Sequence, residues 1–137
     1  MKYKKQLLYM FFIITIGCKT KDIISSDKNH FVETYKGVFF KNCLKRGFTN
    51  SLEIKSLLEE DKSYNSDFLI NVYNNKVIDS FSKTIYNMIH KDSIKSIGKA
   101  EGSSGSKVFK YCICSFNSKE LDSLALDAYL EHIKSQK

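Results

Sequence analysis

Apolar residues recur at steps of three and four along much of the chain after residue 30, which is the spacing of one face of an α-helix. Two such stripes are clear, one of Val32, Tyr35, Phe39 and Cys43 and one of Ile78, Phe81, Ile85, Met88 and Ile89. Each stripe predicts a helix that buries one side. We expect Gly47 to end the first helix, because glycine readily adopts the left-handed conformation that follows a helix.

Two further helices are predicted from residues that cap a helix N-terminus. Asn50 stands three residues before Glu53, and Asn117 stands three residues before Glu120. This is the spacing of a capping box, in which two side chains satisfy the free backbone N–H groups of the first turn. We therefore expect a short helix after Asn50 and a last helix that runs from Asn117 to about Ile133.

Three segments complete the pattern. Phe68, Leu69 and Val72 indicate another short helix, and the small polar residues 101–107 indicate a loop. The apolar run 108–114 fits a strand or the start of a helix, and periodicity does not separate the two. Because few positions alternate as a strand requires, we predict a small all-α, single-domain bundle of four to five helices.

The N-terminus has the organisation of a secretory signal peptide. Lys2, Lys4 and Lys5 precede an apolar run from Leu7 to Ile16. That run has ten residues, whereas a membrane-spanning helix needs about 20. A positive segment followed by a short apolar segment is typical of an export signal, so we expect the chain to be exported from the cytoplasm.

The apolar run ends in Thr15-Ile16-Gly17-Cys18, which resembles a bacterial lipobox. In a lipobox a small residue precedes a cysteine that is lipidated and becomes the mature N-terminus, so Cys18 is the expected lipidation site. The alternative is an ordinary signal peptide. On the lipoprotein interpretation, residues 1–18 are the signal, the polar residues 19–29 are a flexible tether to the membrane, and residues 30–137 are the folded domain.

The charge of the chain argues against nucleic acid as a partner. Lys and Arg number 22 against 15 Asp and Glu, which gives a net charge of +7, but Arg46 is the only arginine. Sites that recognise phosphates or base edges favour the bidentate guanidinium group of arginine. Three of the lysines also leave with the signal peptide, so the mature charge falls to about +4.

The cysteines predict one disulfide bond. If Cys18 is lipidated, Cys43, Cys112 and Cys114 remain in a compartment where disulfides form. One bond would tie the first helix to the segment before the last helix, and sequence spacing does not choose between Cys112 and Cys114. A zinc site is disfavoured because Cys-x-Cys is not a zinc knuckle and no histidine lies at ligand spacing. We expect no bound metal and no other cofactor.

The Gly-Ser loop is the candidate partner-binding element. It consists of Glu101, Gly102, Ser103, Ser104, Gly105, Ser106 and Lys107. Its glycine spacing does not match a phosphate-binding loop, whereas glycines allow the backbone to approach a partner closely. No histidine near a cysteine, no nucleophile motif and no pair of catalytic carboxylates is evident, so we expect a binding protein rather than an enzyme.

Two patches of sequence resemble the amidase immunity family of the type VI secretion system. The C-terminal patch runs from Tyr111 to Asp122, and its matched positions are Cys112, Phe116, Ser118, Lys119, Glu120, Leu121 and Asp122. The N-terminal patch contains Tyr35-Lys36 followed by Phe40-Lys41-Asn42-Cys43-Leu44. The chain departs from the family at Asn117, where the family tends to have histidine, and at Cys114, which is an additional cysteine.

The resemblance implies a helical periplasmic protein, often dimeric, that binds a secreted papain-like peptidoglycan amidase. Inhibition would be steric, because the immunity protein fills the cleft of the amidase and denies it substrate. The resemblance also implies that Cys43 pairs with Cys112 and that Cys114 is the free thiol. The alternative function is a structural or adaptor lipoprotein of an envelope complex, which would not inhibit an enzyme.

Overall fold

The computed structural model describes residues 19–64, 76–96 and 105–136, with side chains from residue 27 onward. Within these ranges the chain forms five helices and no strand. They are α1 (Lys19–Gly47), α2 (Leu52–Glu60), α3 (Lys76–Lys95), α4 (Val108–Phe116) and α5 (Lys119–Ser135). The prediction of a small all-α domain is confirmed. The predicted helix around Phe68, Leu69 and Val72 lies outside the described residues.

Helix α1 is longer at its start than the sequence predicts. It ends at Gly47 as expected, but it begins at Lys19, so residues 19–29 have a helical backbone where we expected a flexible tether. These residues contain neither proline nor glycine to interrupt a helix that is already formed downstream. The proposed lipidation site, Cys18, and the rest of residues 1–18 lie outside the described residues.

The core is built around one side of α1 and belongs to the compact unit Phe31–Lys137. Within the described residues, its buried apolar side chains come from four helices: Phe31, Tyr35, Val38, Phe39, Cys43 and Leu44 of α1, Ile78, Phe81, Ile85 and Ile89 of α3, Val108 and Cys112 of α4, and Leu121 and Ala125 of α5. The stripe predicted for α3 is therefore buried except for Met88, whose side chain is half exposed at the edge of the stripe.

Both predicted capping residues are wrong by one position. Ser51, rather than Asn50, caps α2, and its Oγ accepts a hydrogen bond from the backbone N–H of Ile54 at 3.3 Å. Asn50 instead adopts a left-handed backbone with a φ of 58°. This conformation lets the chain turn away from the end of α1, and asparagine tolerates it better than most residues.

The same displacement occurs at α5. Ser118 caps this helix and accepts a hydrogen bond from the backbone N–H of Leu121 at 3.2 Å. Asn117 ends α4, where its side chain donates to the carbonyl oxygen of Ile113. In both cases the asparagine closes one helix and the following serine opens the next.

The ambiguous segment 108–114 is helical. Val108–Phe116 forms α4, which is joined to α5 by only two residues. Gly47 allows Val108 to pack on the end of α1, since a Cβ atom at Gly47 would overlap the Val108 side chain. Among the described residues, none of the helices has the length and apolarity needed to cross a bilayer.

Candidate binding surface

A disulfide bond joins α1 to α4. Cys43 and Cys112 are bonded with their Cα atoms 5.8 Å apart, and both side chains are buried. Cys114 is a free thiol at the surface. Residues two positions apart in a helix point about 200° apart, so the helical form of α4 turns Cys112 toward α1 and Cys114 toward solvent. This is the pairing that the family resemblance implied.

The two patches that carry the resemblance lie against each other. Lys36 of the first patch is 2.6 Å from Asp122 of the second, measured from Nζ to Oδ1. The same ammonium group lies over the ring of Phe116, 4.9 Å from its centre. Phe116 in turn packs edge-on against Phe40 with ring centres 5.7 Å apart. One ion pair, one cation–π contact and one aromatic contact therefore accompany the disulfide.

Three of the five matched residues between Ser118 and Asp122 have structural roles in this junction. Ser118 caps α5, Leu121 is fully buried, and Asp122 pairs with Lys36. Lys119 and Glu120 are exposed on the first turn of α5. Three of the five motif residues thus hold the start of α5 in place, which leaves Lys119 and Glu120 as the pair that a partner could contact.

The end of the Gly-Ser loop is anchored to the end of α3. Residues 101–104 of the predicted loop lie outside the described residues, whereas Gly105, Ser106 and Lys107 are described and exposed. The backbone N–H of Gly105 donates to Ser96 Oγ at 3.3 Å, and Lys107 pairs with Asp92 at 3.2 Å. The chain therefore leaves α3 at Ser96 and is again within hydrogen-bond distance of that residue at Gly105.

Gly105 has a backbone conformation that suits glycine. Its φ is 117°, and a Cβ atom would meet nothing there within 4 Å. There is room for a side chain at this position, but the backbone conformation would strain any residue other than glycine. Ser96, its hydrogen-bond partner, is buried, and its hydroxyl donates to the carbonyl oxygen of Ser93 at 2.8 Å. This hydroxyl joins the end of the helix to the returning chain.

A groove of about 510 Å³ lies between α1, α2 and α4, and we call it the α2–α4 groove. Its apolar lining consists of Phe40, Leu44, Leu57, Leu58, Tyr64, Ile113 and Phe116, and its polar edge of Lys41, Asp61 and Ser63. Helix α2 buries none of its residues, so its apolar side chains stay at the surface. The sequence analysis missed this groove, because three separate elements contribute to it and no single stripe reveals it.

The polar edge of the groove is held by Lys41. Its ammonium group donates to the carbonyl oxygens of Asp61 and Ser63, each at 2.7 Å, and lies 3.4 Å from the Asp61 carboxylate. Hydrogen bonds from the hydroxyl and backbone N–H of Ser63 lower the pKa of Asp61, and the charge of Lys41 adds to this effect. The edge therefore carries a fixed carboxylate–ammonium pair at neutral pH.

Tyr64 lies beside this edge because α1 carries a glycine there. A Cβ atom at Gly37 would overlap the Tyr64 ring, so the absence of a side chain lets the ring pack directly on α1. Gly37 is thus the second position at which a glycine in α1 permits a close approach. Within the described part of the chain, no group of three His, Cys, Asp or Glu residues is placed to hold a metal ion.

Comparisons of the chain with protein-family models, with curated proteins and with solved structures found no match. The membership of the amidase immunity family therefore stays a prediction. It rests on the two patches of sequence described above, whose cysteines have a sequence separation of 69 and which meet at the junction of α1, α4 and α5.

Proposed function

We propose that this chain is an exported immunity protein that binds and sterically inhibits a peptidoglycan amidase delivered into the cell envelope. The observation that carries the proposal is the junction of the two family-like patches. Lys36, Cys43, Cys112 and Asp122, which belong to the resemblance, form the ion pair and the disulfide that join α1 to α4 and α5. This contact supports the proposal, because the resemblance implies the bond between Cys43 and Cys112.

The proposed inserting element is the loop from Glu101 to Lys107. Its support is the anchored base at Ser96, Gly105 and Lys107. These contacts hold the C-terminal end of the loop, and a segment held in this way loses less conformational entropy on binding than a free segment does. The loop would enter the amidase cleft and exclude the peptide stem, with no chemical step by the inhibitor.

The proposal is tested by capture of the partner. A tagged chain of residues 19–137 is incubated with the secreted and periplasmic proteins of its host, and captured proteins are assayed for wall hydrolysis. We expect a peptidoglycan amidase among them. Capture of envelope proteins without any amidase would favour the alternative, a structural or adaptor lipoprotein, and would contradict the immunity function.

The loop assignment has a separate test. Deletion of Gly102 to Gly105 should weaken inhibition at least tenfold, because the inserting backbone is lost, while the helical circular dichroism spectrum is retained. The matched control is Leu57→Asp, which changes an exposed side chain of the α2–α4 groove and should leave inhibition intact. If the deletion inhibits normally and Leu57→Asp does not, the groove rather than the loop is the binding element.

A further inference from the structure

The outer side of α3 carries four exposed lysines. Lys76, Lys83, Lys91 and Lys95 are all exposed, and in the part of the chain that the structure describes none of them forms an ion pair. At about 100° per residue the four positions fall within an arc of about 120° on the helix, and from first to last they span about 28 Å. We call these four lysines the α3 basic face.

The carboxylates of the same helix do not offset this charge. Asp79 pairs with Arg46 of α1, and Asp92 pairs with Lys107 at the start of α4. Each aspartate is thereby matched by a cation from another element. On the neighbouring helix, Glu120 lines the hollow beside Lys76, so Lys83, Lys91 and Lys95 form the most positive part of the face.

Three large apolar side chains are exposed among these lysines. Ile94 is 55% exposed, Met88 is 49% exposed and Val77 is 47% exposed. By the same helical rotation, Ile94 has the angular position of Lys76 at the opposite end of the helix, and Met88 lies about 20° beyond the angular position of Lys95. On a helix that lies on a membrane, lysines meet the headgroups and exposed apolar side chains enter the interface.

We propose that the α3 basic face docks on an anionic phospholipid surface. The charge complementarity is between four unpaired ammonium groups and the phosphate-bearing headgroups of the membrane. Clusters of four to eight lysines or arginines on an amphipathic helix are typical of segments that bind anionic lipids. Each such residue adds to the affinity for the membrane surface. The face points away from the core, so docking needs no rearrangement of the fold.

The chemistry of the face favours a membrane over an acidic protein. An acidic protein partner is usually recognised by arginines that hold carboxylates in a fixed bidentate geometry. The α3 basic face has only lysines, and none of them is positioned by a neighbouring side chain in the described structure. Lysine ammonium groups that no neighbouring side chain holds in place can follow the mobile headgroups of a membrane, which present no fixed geometry.

Vesicle sedimentation tests the proposal. The chain of residues 19–137 is suitable because the disulfide and the buried apolar residues that the structure describes lie between Phe31 and Ala125. It is mixed with vesicles of phosphatidylcholine alone or of phosphatidylcholine with phosphatidylglycerol, at about 0.1 M salt. We expect binding to the anionic vesicles only, and loss of that binding at about 1 M salt because the charges are then screened.

Matched pairs of variants locate the binding face. The double variant Lys83→Gln/Lys91→Gln should bind anionic vesicles about 30-fold more weakly. The control Lys45→Gln/Lys134→Gln removes two exposed lysines from α1 and α5, has the same net charge, and should lose less than threefold. Ile94→Ser should weaken binding further than Leu130→Ser, a control on α5 that is 54% exposed.

Two results would overturn the proposal. One is equal binding to both kinds of vesicle, or none to either, which would remove anionic lipid as the partner. The other is equal loss in the two double variants, which would assign binding to the net charge of the chain rather than to α3. Competition by soluble polyglutamate that abolishes vesicle binding at equal charge concentration would instead favour an acidic protein.

Discussion

Tyr35 is the largest fully buried side chain in the described core, and its hydroxyl has no hydrogen-bond partner there. Burial raises its pKa to about 12, and the charges of Glu131 and Asp127 on α5 add to the shift. A buried hydroxyl without a partner costs about 1–3 kcal/mol of stability. The aromatic ring provides the packing contacts, so we expect that removal of the hydroxyl does not lower the stability of the fold.

We predict that Tyr35→Phe leaves the free energy of unfolding at pH 7 unchanged or raises it by about 1 kcal/mol. The variant should also lose less stability than the wild type when the pH is raised above 10. In the wild type, the unfolded state ionises near pH 10 while folded Tyr35 stays neutral, so stability is complete below pH 10 and falls as the pH rises to about 12. The loss is about 3 kcal/mol for a shift of this size.

Urea unfolding followed by circular dichroism between pH 8 and about 12 measures this effect. Tyr86→Phe, at a half-buried tyrosine of α3, is the control and should keep the alkaline loss of the wild type. An identical loss in Tyr35→Phe would show that this hydroxyl does not control alkaline stability.

The disulfide between Cys43 and Cys112 is a second feature whose contribution to stability single substitutions can test. It closes a loop with a sequence separation of 69, for which the chain-entropy model gives about 4 kcal/mol. We predict that Cys43→Ser loses about this much stability in oxidising buffer and matches the reduced wild type in reductant. Cys114→Ser should unfold like the wild type in both buffers. Equal stability of Cys43→Ser and wild type in oxidising buffer would contradict the bond.

At the scale of elements, the boundary between α4 and α5 depends on Ser118. Its side chain accepts from Leu121 and satisfies one of the free N–H groups at the start of α5. We predict that Ser118→Ala costs about 1 kcal/mol in urea unfolding. Asn117→Ala should cost less, because the carbonyl oxygen of Ile113 still accepts from the backbone N–H of residue 117 without that side chain. A larger cost for Asn117→Ala would restore the capping box that the sequence suggests.

The sequence predicts the long helices better than their joints. The stripes of α1 and α3 are visible because a core contact repeats every turn, and Ile78, Phe81, Ile85 and Ile89 are buried as expected. The run 108–114 is too short and too uniformly apolar for periodicity to show that it is a helix. The caps shift by one residue because an asparagine and a serine are adjacent, and only the path of the preceding helix decides between them.

Contacts between elements are beyond what periodicity reveals. The ion pair of Lys36 with Asp122 joins residues 86 positions apart, and the α2–α4 groove takes its walls from three helices. By contrast, the family resemblance identified the Cys43–Cys112 pair, which spacing alone had left open. A resemblance carries information about distant contacts because it refers to a whole fold rather than to one element.

At the scale of the whole molecule, the helices display separate surfaces with separate proposed roles. The Gly-Ser loop is the proposed site of contact with an amidase, and the α3 basic face is the proposed site of contact with the membrane. Both surfaces are built on one helical frame, in which buried side chains of α1, α3, α4 and α5 form a single core. Loss of the frame should therefore weaken both activities, whereas a change at either surface should weaken only one.

The most direct test of the proposed function is a titration of the captured amidase. Its hydrolysis of purified peptidoglycan is measured as residues 19–137 of the chain are added. A steric inhibitor predicts that activity falls to the baseline near one molecule of inhibitor per molecule of amidase, without turnover of either protein. Undiminished hydrolysis in the presence of excess chain would contradict the immunity function.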